Sequence, residues 1–273
     1  MSDALARGGE APGVDTGVAH SARVYDYILG GSDNHPADRA AAEQMLRGYP
    51  ALRTSMRQNR AFMHRAVRYA ARQGLEQFLD IGTGIPTSPN VHEVAQAVTP
   101  GARVVYVDRD PLVFAQAAAR LTGTPQGRVG WLLADMADPA AVLGSPEVTG
   151  TLDLGRPVAL SLIGVLQFVP DKEQAYALVR RYLDRLAPGS MLTITTATSD
   201  SAPVQAGSAA EQFRRSGIPV RDSTRADVLP YFDGLDLVAP GVVLVHRWHP
   251  EPGTEGAVRD SEVAMYAGVA RKP

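Results

Sequence analysis

The chain has 273 residues, 45% of them hydrophobic and 21% charged, a composition that excludes intrinsic disorder over most of its length. It holds no cysteine, which excludes disulfides, thiolate metal sites and a cysteine nucleophile together. A net charge of -2 argues against coating nucleic acid by bulk charge, and no apolar run reaches the ~18–20 residues of a membrane span.

Residues 1–18 are rich in Gly, Ala and Asp, lack periodicity and read as a disordered tail. They contain no apolar h-region, so the expected location is the cytoplasm. Residues 19–75 read as a helical cap. Ser21 can cap a first helix carrying Tyr25, Ile28 and Leu29, and Gly30-Gly31 stops it. A second helix is expected from near Pro36 to near Gly48. A third runs from about Ala51 to Gln73, with Leu52, Met56, Met63, Val67 and Ala70 on one face at helical spacing. Beside that face, Arg53, Arg57, Arg60, His64, Arg68 and Arg72 make a basic stripe.

After Gly74 the texture changes, and residues 76–273 read as one α/β core. Candidate strands are Gln77–Ile81, Arg103–Asp108, Val129–Ala134, Val158–Ile163 and Met191–Thr196. Candidate helices between them are Val91–Val98, Pro111–Leu121, Pro139–Leu143 and Lys172–Leu186. Buried strands alternating with helices predict a Rossmann-like, mostly parallel sheet with helices on both faces. Further helices are expected near Gln205–Arg215 and Arg225–Tyr231. Two closing strands, roughly Leu235–Val245 and Val263–Ala270, lack room for a crossover and predict an antiparallel hairpin.

Ligands of an open α/β sheet bind beyond the carboxyl ends of its strands. The first strand runs into Asp80-Ile81-Gly82-Thr83-Gly84, where glycines allow a tight turn and close backbone approach. The second ends at Asp108, followed by Arg109. A carboxylate there can accept two hydrogen bonds from a ribose diol. The third leads to Asp135-Met136, suited to an adenine amino group and ring. Carboxylates at three successive strand ends suit a ligand of net positive charge. A dinucleotide fits less well. Thr87 stands where the third glycine of its fingerprint belongs, and Pro86 and Pro89 intrude where a helix should offer N–H groups to phosphate. S-adenosylmethionine (SAM) has no phosphate, and its cationic amino group suits Asp80.

The sequence resembles class I SAM-dependent methyltransferases. More narrowly, it resembles a bacterial family of S-adenosyl methyltransferases formerly catalogued as a domain of unknown function. The likeness rests on Ser21-Ala22-Arg23-Val24-Tyr25-Asp26-Tyr27-Ile28-Leu29-Gly30-Gly31, on Asn34, Asp38 and Asn59-Arg60, and on Phe78–Gly84 with Pro86-Thr87. It continues through Asn90-Val91-His92-Glu93, Val104–Asp108, Asp110-Pro111, Leu186-Ala187-Pro188-Gly189, Phe232-Asp233-Gly234-Leu235 and Pro240-Gly241-Val242. The resemblance implies a seven-stranded sheet, a helical extension over the cofactor edge, and SAM as cofactor with S-adenosylhomocysteine (SAH) as product. Relatives often carry Leu-His after the fourth strand, whereas this chain has Leu166-Gln167. A glutamine accepts no proton at neutral pH, yet it can orient an acceptor by hydrogen bonds.

The expected function is therefore methyl transfer from SAM to a small-molecule acceptor by in-line displacement. The expected cofactor contacts are Asp80, Gly82, Thr83, Gly84, Asp108, Arg109, Asp135 and Met136, with Asn34 and Arg60 reaching the methionine end. Tyr25, Tyr27 and Gln167 are the acceptor-side candidates. No metal, nucleic-acid or membrane partner is expected. The basic stripe reads either as a solvated face paired with acids such as Asp33, Asp38 or Glu43, or as an attractor of an anionic acceptor. His92 reads as a structural histidine rather than a ligand contact. Two other functions stay open: a SAM- or SAH-binding protein without turnover and, more remotely, an NAD(P)-dependent oxidoreductase.

Overall fold

A computed structural model describes residues 15–273, with all their side chains except those of residues 118 and 120. Most of the expected disordered tail, residues 1–14, lies outside the described residues.

Three helices lead: α1 (Ser21–Leu29), α2 (Pro36–Gly48) and α3 (Leu52–Arg72). The Gly30-Gly31 pair ends α1 as expected. Gly30 takes φ 92°, and the Gly30 and Gly31 N–H groups donate to the Tyr27 and Asp26 carbonyls. Gly31 is small for a different reason, since a Cβ there would stand 2.0 Å from Asp26 Oδ1. Asp26 Oδ2 accepts from the Asp33 N–H at 2.9 Å and from Asn34 Nδ2 at 2.8 Å, folding the turn into α2. Ser21 is the first residue of α1, not its cap; His20 precedes it. The His20 N–H donates instead to Asp38 Oδ1 on α2. On α3 the expected apolar face is buried throughout: Leu52, Met56, Met63, Val67 and Ala70. Each large side chain fully buried in this way stabilises the fold by roughly 1.5–3 kcal/mol.

The sheet follows. In chain order come β1 (Gln77–Ile81), α4 (Val91–Val98), β2 (Arg103–Asp108), α5 (Pro111–Arg120), β3 (Arg128–Leu133), α6 (Pro139–Gly144), α7 (Pro146–Thr149), β4 (Ala159–Ile163), α8 (Lys172–Leu183), β5 (Met191–Ala197), α9 (Pro203–Arg215), α10 (Arg225–Val228), β6 (Asp236–Leu237), β7 (Val243–Leu244) and β8 (Met265–Arg271). The continuous strand order is β3-β2-β1-β4-β5-β8-β6, with β7 also paired to β8. The first five strands are parallel. β8 runs antiparallel to β5, β6 and β7. The closing strand expected over 235–245 is split into β6 and β7, because Pro240 brings no N–H and Gly241 turns the chain at φ 85°.

The two faces of the sheet separate by parity, as a period of two requires. Leu79, Ile81, Val105, Val107, Leu160 and Leu162 face a core shared with α6 and α8. Phe78, Val104, Tyr106 and Ala159 face a core shared with α3 and α4. A third core joins α1 and α2 to Ala202, Ala206 and Ala209 at α9. The leading helices are thus tied to a segment that enters after β5, and together they roof the carboxyl ends of the strands.

Candidate active site

Under that roof lies a cavity of about 200 Å³. Its floor is the loop after β1. Asp80 is the penultimate residue of β1, paired in register with Tyr106. It is buried, and burial pushes its carboxyl up to about 7 against the opposing pull of Thr83 and Arg60; the Asp108 charge adds to the rise. Gly82 follows at φ 72°, and a Cβ there would stand 2.3 Å from Val165 Cγ1. Only a glycine fits both the backbone and the space. Gly84 takes φ 68°, and a Cβ there would meet nothing within 4 Å, so its surface is open to an occupant.

Asp108 ends β2 and fastens this loop. Its Oδ2 accepts from the Gly84 N–H at 2.8 Å and its Oδ1 from the Asp110 N–H at 3.0 Å. Burial raises its carboxyl above the ordinary range, while those two N–H groups pull it down. Each oxygen keeps a lone pair for a further donor. Asp135 stands two residues beyond β3, with its side chain 53% exposed, 3.9 Å from the exposed Arg109. Its Oδ1 accepts from the Ala137 N–H. The three carboxylates therefore line one cavity but grade from buried to exposed. Thr83, Arg109 and Met136 line it as well.

Arg60, on α3, is the one residue of the basic stripe in the cavity wall among the described residues. It donates to the Pro89 carbonyl at 2.9 Å, and burial lowers its pKa. The rest of the stripe is engaged elsewhere or exposed: Arg53 donates to the Ile28 carbonyl, His64 meets the Pro89 carbonyl, Arg68 pairs with Glu251, and Arg57 faces solvent. Tyr25 lines the cavity and donates to the Met56 carbonyl at 3.2 Å. Two expected contacts are absent from the wall. Tyr27 turns outward and donates to Glu43 at 3.0 Å. Asn34 is held by Asp26, the Gly31 carbonyl and Arg39, where it shapes the turn after α1. His92 is buried against Tyr106, whose hydroxyl it meets at 2.8 Å, and does not line the cavity.

The structure adds residues that the sequence reading did not assign. His20 lines the cavity on the Asp108 side, 3.1 Å from Asp110; burial lowers its pKa. Asp110 also caps α5 through the Leu112 N–H and lies 3.7 Å from buried Arg23. That cluster seats α1 on the end of β2, and its signal was the Asp110-Pro111 cap. Asn59, 2% exposed, lines the wall near Gly164 beside the expected acceptor-side residue Gln167, 8% exposed. The Asn59 Oδ1 and Gln167 Oε1 atoms are buried and accept no hydrogen bond. Leaving a buried acceptor unpaired costs about 1–3 kcal/mol. Phe213 of α9 and Met265 of β8 complete the wall.

A family model described as S-adenosyl methyltransferase matches residues 7–273. The chain belongs to the S-adenosyl methyltransferase family. It is 50% identical to a DUF574 family protein from Streptomyces avermitilis solved at 1.80 Å, covering 95% of this chain and 99% of that one, with a TM-score of 0.92. It is 39% identical to a Thermobifida fusca protein provisionally named a methyltransferase, covering 96% and 97% of the two chains, with a TM-score of 0.87. The plantazolicin methyltransferase BpumL, solved with SAH, shares the fold at 12% identity and a TM-score of 0.51, covering 92% and 95%. No curated protein matches the chain. The fold is that of the methyltransferases, with the antiparallel strands at the chain's end, as the sequence predicts. Among the described residues no helix is long and apolar enough to cross a membrane, and no three His, Asp or Glu side chains gather to hold a metal ion.

The donor set fits SAM. The Gly82–Gly84 floor admits close approach, Asp80 and Arg60 offer opposite charges to a zwitterion, and Asp108 keeps acceptor capacity for hydroxyls.

Proposed function

We propose that this chain binds SAM in the cavity over β1–β3 and transfers its methyl group to a small-molecule acceptor. The observation that carries the reading is the loop after β1, where a buried carboxyl and two left-handed glycines are fastened to the Asp108 carboxylate. Asp80 would hold the cofactor's ammonium group and Arg60 its carboxylate. Asp108 would take the ribose hydroxyls, and Asp135 with Met136 would bracket the adenine. SAM, when bound, supplies an electrophilic methyl group on a sulfonium. The roof of α1, α3 and α9 excludes water and holds the acceptor in line. Such positioning supplies up to about 7–11 kcal/mol of barrier reduction in model systems. A general base adds about 10²–10⁴-fold and is dispensable when the acceptor has no proton that must leave as it attacks.

Thermal unfolding with SAM, SAH and NAD in parallel tests the reading. A ligand at 100 times its Kd adds about 2.7 kcal/mol, enough to move the midpoint by several degrees in a chain of this size. Shifts with SAM and SAH and none with NAD are expected; no shift with SAM or SAH overturns it. Gln167, which cannot accept a proton, favours a second reading, binding without turnover. Similar affinities for SAM and SAH, with no acceptor methylated, would decide for that one.

A further inference from the structure

The sheet order places β2 and β3 on one side of β1, and β4 and β5 on the other. The nucleoside end of the proposed cofactor belongs over β2 and β3, with Asp108, Asp135 and Met136. Its methionine end belongs over β1. What remains of the cavity lies over the end of β4. Ile28, Met56, Met63, Phe168, Phe213 and Met265 are apolar members of the lining, with Met265 approaching Gly164; none is a base. Asn59 and Gln167 lie among them, with the Tyr25 hydroxyl 3.3 Å from Asn59 Nδ2. Both approach Gly164: a Cβ there would stand 3.5 Å from Asn59 Nδ2 and 3.8 Å from Gln167 Nε2.

The hydrogen bonds fix which way each amide faces. Gln167 Nε2 lies 2.8 Å from the Gly164 carbonyl, an acceptor, so the atom there is the NH₂ group. Tyr25 donates its proton to the Met56 carbonyl, so the group 3.3 Å from its oxygen is the Asn59 NH₂. In both residues it is the carbonyl oxygen that is left without a donor. Buried polar atoms in native proteins are almost always paired. Two orphaned acceptors on cavity-lining residues that both approach Gly164 ask for a ligand with two donors.

We propose that Asn59 and Gln167 are the acceptor-recognition pair of this cavity. The acceptor they select is a primary amine, neutral at physiological pH as an arylamine is, on an apolar ring-sized body. This rests on the reading of the cavity as a SAM site. An NH₂ group gives one N–H to each carbonyl oxygen and keeps its lone pair for the methyl group. The lone pair forms the N–C bond as the C–S bond breaks and its electrons pass to sulfur. The nitrogen becomes a secondary ammonium and then releases one proton to water. No protein base enters, in keeping with an amide at position 167. A hydroxyl has one donor and must lose it during attack. A carboxylate has none and would face two carbonyl oxygens.

The test is calorimetric, on the full chain saturated with SAH. The probes are 6-aminoquinoline, 6-hydroxyquinoline and quinoline-6-carboxylate at pH 8. The amine is expected to bind about tenfold or more tighter than either analogue. Gln167→Met and Asn59→Leu should each abolish that preference while keeping the wild-type Kd for SAH, which shows that each variant is folded. Incubation of the wild type with SAM and 6-aminoquinoline should yield the N-methyl product. With SAH bound, equal binding of the three probes, no binding of any, or preference for the hydroxyl or carboxylate overturns the pairing. Failure of SAH to bind overturns the cofactor reading, and this proposal with it.

Discussion

The two walls of the cavity are built on opposite plans. The floor over β1 and β2 is polar and braced by its own hydrogen bonds: Asp108 accepts from Gly84 and Asp110, and the Gly82 N–H reaches the Val107 carbonyl at 2.7 Å. These bonds fasten the loop without any ligand. The roof beneath α1, α3 and α9 is mostly apolar, and the Asn59 and Gln167 amides keep unpaired oxygens. A preorganised floor suits a ligand common to a whole family, whereas an apolar roof with few polar groups suits one particular acceptor.

Asp80→Asn should break the floor most severely. It removes the charge facing the cofactor's ammonium, and hydrogen bonds to charged groups contribute about 1.5–3 kcal/mol each. The Kd for SAH, by calorimetry, should rise about a hundredfold. The same substitution should raise the melting temperature of the ligand-free chain at pH 8. With its pKa raised from 3.8 to about 7, the stability Asp80 lends the folded chain is present below 3.8 and lost as pH rises through about 7. Affinity for SAH should run the other way in the wild type, climbing up to pH 7 and levelling above it. A flat pH profile would remove Asp80 from the ammonium site.

Gly82→Ala comes next. Its Cβ would collide with Val165 in a left-handed backbone, so a loss of SAH affinity of about tenfold or more and a drop of several degrees in melting temperature are expected. Gly84→Ala meets no neighbour and carries mainly backbone strain, roughly 1–2 kcal/mol. Similar melting temperatures for the two variants would contradict this difference. Asp108→Asn keeps one acceptor oxygen for two backbone donors, and SAH should bind about tenfold more weakly. Asp135→Ala, at an exposed and screened position, should change the Kd for SAH less than about threefold. Arg57→Glu, outside the cavity, should leave it unchanged; a clear loss would revive the basic stripe as an attractor of ligand.

The floor was legible in the sequence because its residues are local. Asp80, Gly82 and Gly84 fall within five residues, and Asp108 and Asp135 stand at or just beyond the ends of strands that their own apolar runs announce. The roof was legible only at Tyr25, Arg60 and Gln167. Asn59, Gln167, Phe213 and Met265 come from four distant segments, and packing alone brings them together. Tyr27 shows the limit plainly: two residues from Tyr25 on a helix, it lands on a different face and meets Glu43 instead of the cavity. Asn34 sat in the matching block for a structural reason, the turn built around Asp26. The splitting of the strand expected over 235–245 followed from Pro240, whose missing N–H outweighed the apolar run around it.

A crystal structure of the full chain with SAH tests the central claim most directly. The account predicts SAH across the ends of β1–β3, its ammonium on Asp80 and its ribose on Asp108, with the space beside Asn59 and Gln167 left free for the acceptor. SAH bound elsewhere, or lying across those two amides, would contradict it.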